Sequence, residues 1–381
     1  MKIAYFSNYL NHHQLPLAEA FNSIEGIEYT FVSVISVPHF RIELGYREME
    51  TPFLLDVSKS PENKKHALEL AVNADIAIFS TSRMEEYIVP RLNSGKLTFE
   101  CSERWFKKKF KLNVFSRNLW KHQILYYKYG RKANLYMLCA SAYAANDYYL
   151  LNSFKNRCFK WAYFTRFTSI DINAILSNKR SGKFRIMWCS RFIKWKHPEL
   201  VIYLAEILKA NGFCFEINMF GGGPLEAKIH HSIERRGLAE HVRLKGALVN
   251  DRIIVEMQNH HVLLFTSDQN EGWGAVANEA MSNGCTIIGS DQIGSIPFLV
   301  KHMENGLIFK SKNINSLYNC VLLLMNNRDL CENLARKAYG DMMNVWSPQN
   351  AASRFLNLVS TLQRGANSDY SDGPCSLAEP I

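Results

Sequence analysis

No uninterrupted apolar run among the 381 residues is long enough to cross a bilayer, which argues against a membrane-spanning helix. The opening residues, MKIAYFSNYL, lack the long apolar core of a secretion signal and read instead as a buried strand. Paired CxxC spacing is absent, so the nine cysteines do not form a zinc site. Their odd number, with no secretion signal, points to reduced thiols in a cytoplasm. Cys139 and Cys189 lie in apolar runs and read as small core residues. No repeat of solenoid period recurs. No DxD follows an apolar strand, and Asp147 and Asp171 stand in unrelated contexts. Helix-turn-helix, zinc and RNP patterns are missing too, which argues against a nucleic-acid partner.

What is present describes an ordinary globular protein, 47% hydrophobic and 21% charged. The length suggests two domains, each able to bury its own core. The net charge of +10 suits nucleic acid, anionic lipid or a phosphorylated substrate. It is concentrated in residues 101–132, where ten Lys or Arg accompany one acid, Glu103. Trp105, Phe106, Phe110, Phe115, Trp120, Tyr126 and Tyr127 are interleaved with them. Cations mixed with rings suit an anionic membrane surface. The competing reading is a solvated helix whose aromatics pack into the core.

Strand-like and helix-like runs alternate through most of the chain. KIAYFSN, EYTFVSV, DIAIFST, KLTFE and NLYMLCAS read as strands; HQLPLAEAFNSI and HALELAV read as helices. The pattern loosens over residues 167–183, then restarts with FRIMWCS, FEINMFG, VRLKG, HVLLFTS and TIIGS as strands between helical runs. The expectation is an α/β chain with a Rossmann-like domain over 1–175 and a second over 183–345, their parallel sheets facing across a cleft. Ser347 and Pro348 open an amphipathic helix over about 347–364, and the polar residues 365–381 read as a disordered tail.

The stretch EGWGAVANE follows the strand HVLLFTS. Gly272 and Gly274 let backbone N–H groups approach a ligand closely. A helix starting near Ala275 and Val276 points its positive end at the same spot, a seat for phosphate. Glu271 lies before that helix and Glu279 just over one turn inside it. Two hydroxyl acceptors flanking a phosphate seat match a sugar and a ribose joined by a diphosphate.

The whole string around EGWGAVANE resembles the signature of the family 4 glycosyltransferases, retaining enzymes of the two-domain GT-B fold. The resemblance implies that Glu271 contacts a donor sugar and Glu279 the donor ribose, with Gly272, Trp273, Gly274, Ala275 and Val276 lining the donor. CSRFIKWKHPEL resembles the family segment with Arg and Lys five apart, here Arg191 and Lys196. Two cations beyond a strand would neutralise charge building on a departing diphosphate; the bland reading is two surface cations. MFGGGPLEAKI resembles the family's glycine turn, with Gly221 and Gly222, although a tight turn without a ligand reads equally well. VRLKGALV is similar to the segment beside the nucleotide base. SDQIGSIPFLVKHMENGLIF resembles a segment usually written with paired glycines and then Pro-Glu; here Ser295 and Phe298 replace the second glycine and the glutamate. The resemblance covers the C-terminal half well and the N-terminal half loosely.

In the N-terminal half, Asn11, His12, His13 and Gln14 follow the first strand and would face an acceptor or a donor phosphate. Either histidine alone also reads as a capping or solvated residue. Glu103 and Arg104 resemble a Glu-Arg pair of bacterial surface-polysaccharide transferases, which offers Glu103 as acid, base or acceptor anchor. In the family the final helix crosses back onto the N-terminal domain.

The expected function is retaining hexosyl transfer from a nucleotide sugar, UDP-linked, to a glycan or lipid-linked acceptor in bacterial capsule or O-antigen assembly. The resemblance implies no metal and no cofactor beyond the nucleotide sugar itself. The location expected is cytoplasmic, peripheral at the inner face of the membrane. The alternatives are a sugar-nucleotide epimerase on the same fold, a non-catalytic glycan- or lipid-binding adaptor, and a nucleic-acid binder.

Overall fold

The computed structural model describes residues 1–39, 48–80, 85–107 and 115–381. Residues 108–114 of the basic aromatic segment, including Phe110, lie outside the described residues. The chain forms two compact units, Met1–Arg166 with Val345–Ile381, and Phe167–Asn344.

The first unit holds a seven-stranded sheet in the order β3-β2-β1-β4-β5-β6-β7. Its strands are β1 (Lys2–Ser7), β2 (Glu28–Ser33), β3 (Leu54–Asp56), β4 (Ile76–Phe79), β5 (Thr98–Ser102), β6 (Leu135–Cys139) and β7 (Cys158–Lys160). The seven strands pair in parallel, with Ile3 opposite both Tyr29 and Ile76. A parallel sheet is covered on both faces, so its strands read as unbroken apolar runs. The IAIF of β4 is buried at every position.

The helix Pro348–Gln363 is part of this core. Ser347 caps it by accepting the Asn350 N–H at 3.3 Å. Its Phe355 ring meets Phe21 at 5.5 Å, Phe99 at 4.9 Å and Trp161 at 5.8 Å.

The tail, expected to be disordered over 365–381, is instead ordered against β7. Lys160 donates its N–H to Ser376 O at 2.8 Å, Cys375 returns a bond to Lys160 O at 2.8 Å, and Ala378 donates to Cys158 O at 3.0 Å. An edge strand offers a row of unpaired backbone groups, and a polar, turn-rich segment satisfies them as well as an apolar one does. Asp372 adds an ion pair with Lys160 at 2.8 Å, and its carbonyl accepts from the Arg354 guanidinium at 2.6 Å.

The second unit holds a six-stranded sheet in the order β10-β9-β8-β11-β12-β13, again parallel. Its strands are β8 (Phe184–Cys189), β9 (Phe215–Phe220), β10 (Val242–Leu244), β11 (Val262–Phe265), β12 (Thr286–Ser290) and β13 (Leu307–Phe309). The unit begins earlier than the loosened pattern suggested. Residues Ile172–Lys179 form a helix, started by Asp171, whose carboxylate accepts the Ala174 N–H at 3.0 Å. Lys179 pins this helix to the unit, donating to the carbonyls of Gly284 at 2.7 Å and Met257 at 3.2 Å. Burial brings its amine down to about 8.

In this sheet the strand order reverses between β8 and β11. In doubly wound sheets, ligands bind beyond the carboxyl ends of the strands at such a reversal.

Candidate functional site

Two loops leave the carboxyl ends of β8 and β11. The first, Ser190–His197, is held against the glycine turn that follows β9. Ser190 donates to Phe220 O at 3.0 Å and Phe192 to Gly222 O at 2.9 Å. Gly221 has φ +125°, and a Cβ there would lie 2.0 Å from Ser190 O. This glycine is therefore required by packing against the Arg191 loop. A Cβ on Gly222 would meet only Glu226 Oε2, at 3.6 Å, so packing does not demand that one.

The loop is bolted to β11 through Thr266. Its hydroxyl donates to Lys196 O at 2.6 Å and accepts from the Trp188 indole at 2.9 Å. The Asp268 N–H donates to Trp195 O at 3.0 Å. His197, left-handed at φ +49°, places Nε2 3.1 Å from Asp268 and Nδ1 2.7 Å from Glu199. Lys312 reaches Asp268 at 3.0 Å. Burial raises the Asp268 carboxyl, but bonds from Asn270, His197 and Lys312 outweigh it and hold the group at about 2. Burial lowers His197, yet its two carboxylate partners leave it raised overall. This clamp was not foreseen from the sequence. Asp268 stands between the strand HVLLFTS and the stretch EGWGAVANE, but its partners His197 and Lys312 are 71 positions before it and 44 after it.

The clamp brings Lys196 to Glu271, and their side chains form an ion pair. Ser267 donates a second bond to the same carboxylate at 2.9 Å. Arg191, on the same loop as Lys196, stacks its guanidinium over the Trp195 ring at 5.8 Å. The turn after Glu271 passes through Gly274 at φ +83°, where a Cβ would sit 2.2 Å from the Phe265 ring. The helix Val276–Ser282 then begins, with Ala275 as its N-cap. Glu279 accepts from the Asn250 amide at 2.8 Å, and burial pushes its carboxyl up to about 7. Burial, aided by Glu279 and opposed by Lys196, pushes the Cys189 thiol at the end of β8 up to about 12. Lys196, Glu271 and Glu279 thus gather at the β8–β11 reversal, with Arg191 on the adjoining loop.

Trp273 is placed differently. Its indole is fully buried and donates to Asn278 at 2.8 Å, with the Phe298 ring at 6.4 Å. Only its main chain belongs to the turn. Gly272 is buried beside it, while Ala275 and Val276 are half-buried at the helix start. The segment carrying Ser295 and Phe298 runs behind Glu271, where Gly294 donates to Glu271 O at 3.3 Å. The Ser295 hydroxyl is buried without a partner.

In the first unit, His12 and His13 lie in the turn after β1, their rings 3.9 Å apart. Burial lowers both, His13 to about 3, so they are neutral at physiological pH. The turn is fixed by Asn11, which accepts the His13 N–H at 2.9 Å, and by Gln14, which donates to Ser7 at 2.9 Å. His13 lines a hollow of about 280 Å³ with Tyr5, Asn11, Trp161 and Tyr163. Glu103 follows β5 and is engaged at both oxygens, by the Tyr163 hydroxyl at 2.6 Å and Lys107 at 2.6 Å. Among the described residues, no group of three or more His, Cys, Asp or Glu is arranged to hold a metal ion.

Residues 171–341 match the sequence profile of glycosyl transferases group 1. The chain is 27% identical over 173 residues to the poly(ribitol-phosphate) alpha-N-acetylglucosaminyltransferase of Staphylococcus aureus, covering 45% of this chain and 34% of that protein. It is 30% identical over 167 residues to the poly(glycerol-phosphate) alpha-glucosyltransferase of Bacillus subtilis, covering 42% of this chain and 24% of the relative. The chain therefore spans about a third and a quarter of these curated relatives. Among solved structures, HepE of Anabaena in complex with UDP superposes with a TM-score of 0.68 at 15% identity, over 94% of this chain and 100% of that one. The two parallel-sheet units are those of the GT-B fold.

Proposed function

We propose that the chain is a retaining glycosyltransferase that moves a hexosyl unit from a nucleotide sugar, UDP-linked, to a glycan or lipid-linked acceptor of bacterial surface-polysaccharide assembly. One observation carries the reading: the Lys196–Glu271 ion pair and the Glu279 carboxyl flank the Gly272–Ala275 turn at the β8–β11 reversal. In this reading Glu271 accepts hydroxyls of the donor sugar, and Lys196 holds it ready. Lys196, Arg191 and the positive end of the helix Val276–Ser282 balance the diphosphate charge, which is greatest as the sugar–phosphate bond breaks. Those groups supply charge that a metal supplies in other diphosphate sites. Glu279 accepts the ribose hydroxyls. The first unit receives the acceptor, whose hydroxyl oxygen forms the new glycosidic bond while its proton passes to the leaving diphosphate.

Support comes from the names of the relatives, two alpha-transferases acting on polyol-phosphate polymers, and from UDP bound in HepE. We assign the chain to the cytoplasm, peripheral at the inner face of the membrane. That assignment is supported by the helix Arg117–Lys128, whose outer face carries both exposed rings and cations.

The test is calorimetric titration of the full chain with UDP, GDP and ADP, repeated on Glu279→Ala and Arg191→Ala. UDP is expected to bind in the micromolar range, and each substitution to weaken it at least about tenfold, equivalent to about 1.4 kcal/mol. Absence of binding by all three nucleotides would sink the reading.

A further inference from the structure

Two residues other than glycine, His197 and Lys312, hold left-handed backbone at φ +49° and +61°, and both bring their side chains to the same oxygen of Asp268. Such backbone is disfavoured for a residue with a side chain and persists where its surroundings over-determine it. Glycine would adopt the His197 conformation freely. The reason for an imidazole at this position must therefore lie in its bonds.

Both of those bonds end on carboxylates, Nδ1 lying 2.7 Å from Glu199 and Nε2 3.1 Å from Asp268. A neutral imidazole carries one N–H and can serve only one of them, whereas the imidazolium carries two and serves both. The side chains of His197 and Asp268 are 12% and 7% exposed, so salt screens the pair little. Burial works against the charge on the ring, yet the two carboxylates outweigh it and leave His197 raised above its ordinary value. Burial also opposes ionisation of both carboxyls, but their bonds hold them below their ordinary values, Asp268 at about 2. Where histidine titrates, the ring is thus the member of this trio that changes charge.

The bridge is fastened to the loop that carries Arg191 and Lys196. His197 follows Lys196 directly. Lys196 itself sits between two held carbonyls, Trp195 O on the Asp268 N–H at 3.0 Å and its own on the Thr266 hydroxyl at 2.6 Å. The Asp268 carbonyl in turn accepts the Glu271 N–H at 3.0 Å. One residue therefore ties the chain at Lys196 to the chain at Glu271, and His197 is the charged partner that steadies it.

Resting on the transferase reading for what Arg191 and Lys196 bind, we propose that His197, as an imidazolium bridging Glu199 and Asp268, is a positioning residue that holds their loop in place for the donor diphosphate, and that this hold weakens when the ring gives up its proton. The groups facing the ring are Glu199, from the helix Pro198–Ala210, and Asp268, from the loop after β11. Lys312 stands on Asp268, and Lys228, from the helix Glu226–Arg235, acts on Glu199. The bridge is complete below the ordinary histidine value and is lost as pH rises through the raised one.

Calorimetric titration with UDP from about pH 6 to about pH 9, on the full chain and on His197→Gly and His197→Asn, tests the role. Both replacements accept left-handed backbone, and neither carries a charge. His197→Gly should melt within about 3 °C of the parent, because relief of strain offsets the lost bonds. The parent should bind UDP about tenfold more tightly than His197→Gly near pH 6, the ratio shrinking to about twofold near pH 9. Titration of Glu279 and of the UDP terminal phosphate is common to both proteins and cancels in that ratio. His197→Asn, which keeps one polar contact, should lie between them, and it supplies the same ratio if His197→Gly does not fold. Ring-nitrogen NMR of the parent should show both His197 nitrogens protonated near pH 7, where a free histidine is mostly neutral. A ratio that does not change with pH, a variant that binds UDP as the parent does, or a ring with one protonated nitrogen overturns the positioning role. Failure of UDP to bind the parent at any pH overturns the donor reading instead, and the ring signal still decides whether the bridge is charged.

Discussion

The Asn250 amide donates to Glu279 Oε1 at 2.8 Å, joining the first turn of the helix Asn250–Asn259 to the helix Val276–Ser282. Burial dominates this carboxyl and lifts it from 4.5 to about 7; the Asn250 bond opposes the lift. A carboxyl raised by folding stabilises the fold fully below its unfolded value, near 4.5, and that contribution is lost as pH rises through about 7. Glu279→Gln mimics the protonated form. It should therefore leave the melting temperature of the unliganded protein unchanged near pH 4.5 and raise stability by about 1 kcal/mol near pH 8. The same variant should bind UDP more weakly, since an amide accepts hydroxyls less strongly than a carboxylate. Thermal melts at the two pH values decide it, and an equal effect at both would remove the burial argument.

Two glycines separate packing from ligand contact. Gly274→Ala places a Cβ 2.2 Å from the Phe265 ring at φ +83°, so backbone and side chain are both strained. We expect a loss of about 2–3 kcal/mol in stability, with UDP binding lost alongside. Gly222→Ala meets only the end of the Glu226 side chain, at 3.6 Å. Its stability should stay within about 0.5 kcal/mol of the parent. If UDP affinity still falls severalfold, Gly222 faces the donor. If neither quantity changes, the glycine turn after β9 is a packing device alone.

Much of the sheet architecture was legible because parallel strands covered on both faces carry unbroken apolar runs, as in β4 and β11. β3, β7 and β13 escaped, each three residues long and too short to show a period, whereas β10, no longer, was read from VRLKG because turn residues bound it. The gathering of Lys196, Glu271 and Glu279 was readable from local strings that each end a strand. The clamp around Asp268 was not, since it depends on side chains contributed by distant elements. Trp273 shows a different limit. A tryptophan between glycines looks available for a ligand, yet Asn278, five residues on, takes its indole into the core.

The basic aromatic segment divides its rings between two environments. Phe106 and Tyr126 are buried, and Tyr126 meets the Phe154 ring at 4.6 Å. Phe115, Trp120 and Ile124 are 84%, 56% and 63% exposed, and Tyr127 is 40% exposed. In the helix Arg117–Lys128, positions 120, 124 and 127 recur at one helical face, each one residue on from the buried Leu119, Gln123 and Tyr126, so the exposed rings adjoin the buried face at about 100°. Arg117, Lys121 and Lys128 are exposed with them. Rings between cations on an outer face match an anionic lipid surface, where each cation contributes about 1 kcal/mol. The full chain should therefore cosediment with vesicles containing roughly 30% phosphatidylserine and not with pure phosphatidylcholine. Salt at about 0.5 M should weaken the association, because screening shortens the reach of the cations. Trp120→Ser combined with Ile124→Ser should reduce binding about tenfold through lost apolar burial, while both positions, being exposed, leave stability nearly unchanged. Equal binding to both vesicle types, or binding indifferent to the double substitution, would detach this face from the membrane and leave the lipid-linked acceptor without its structural support.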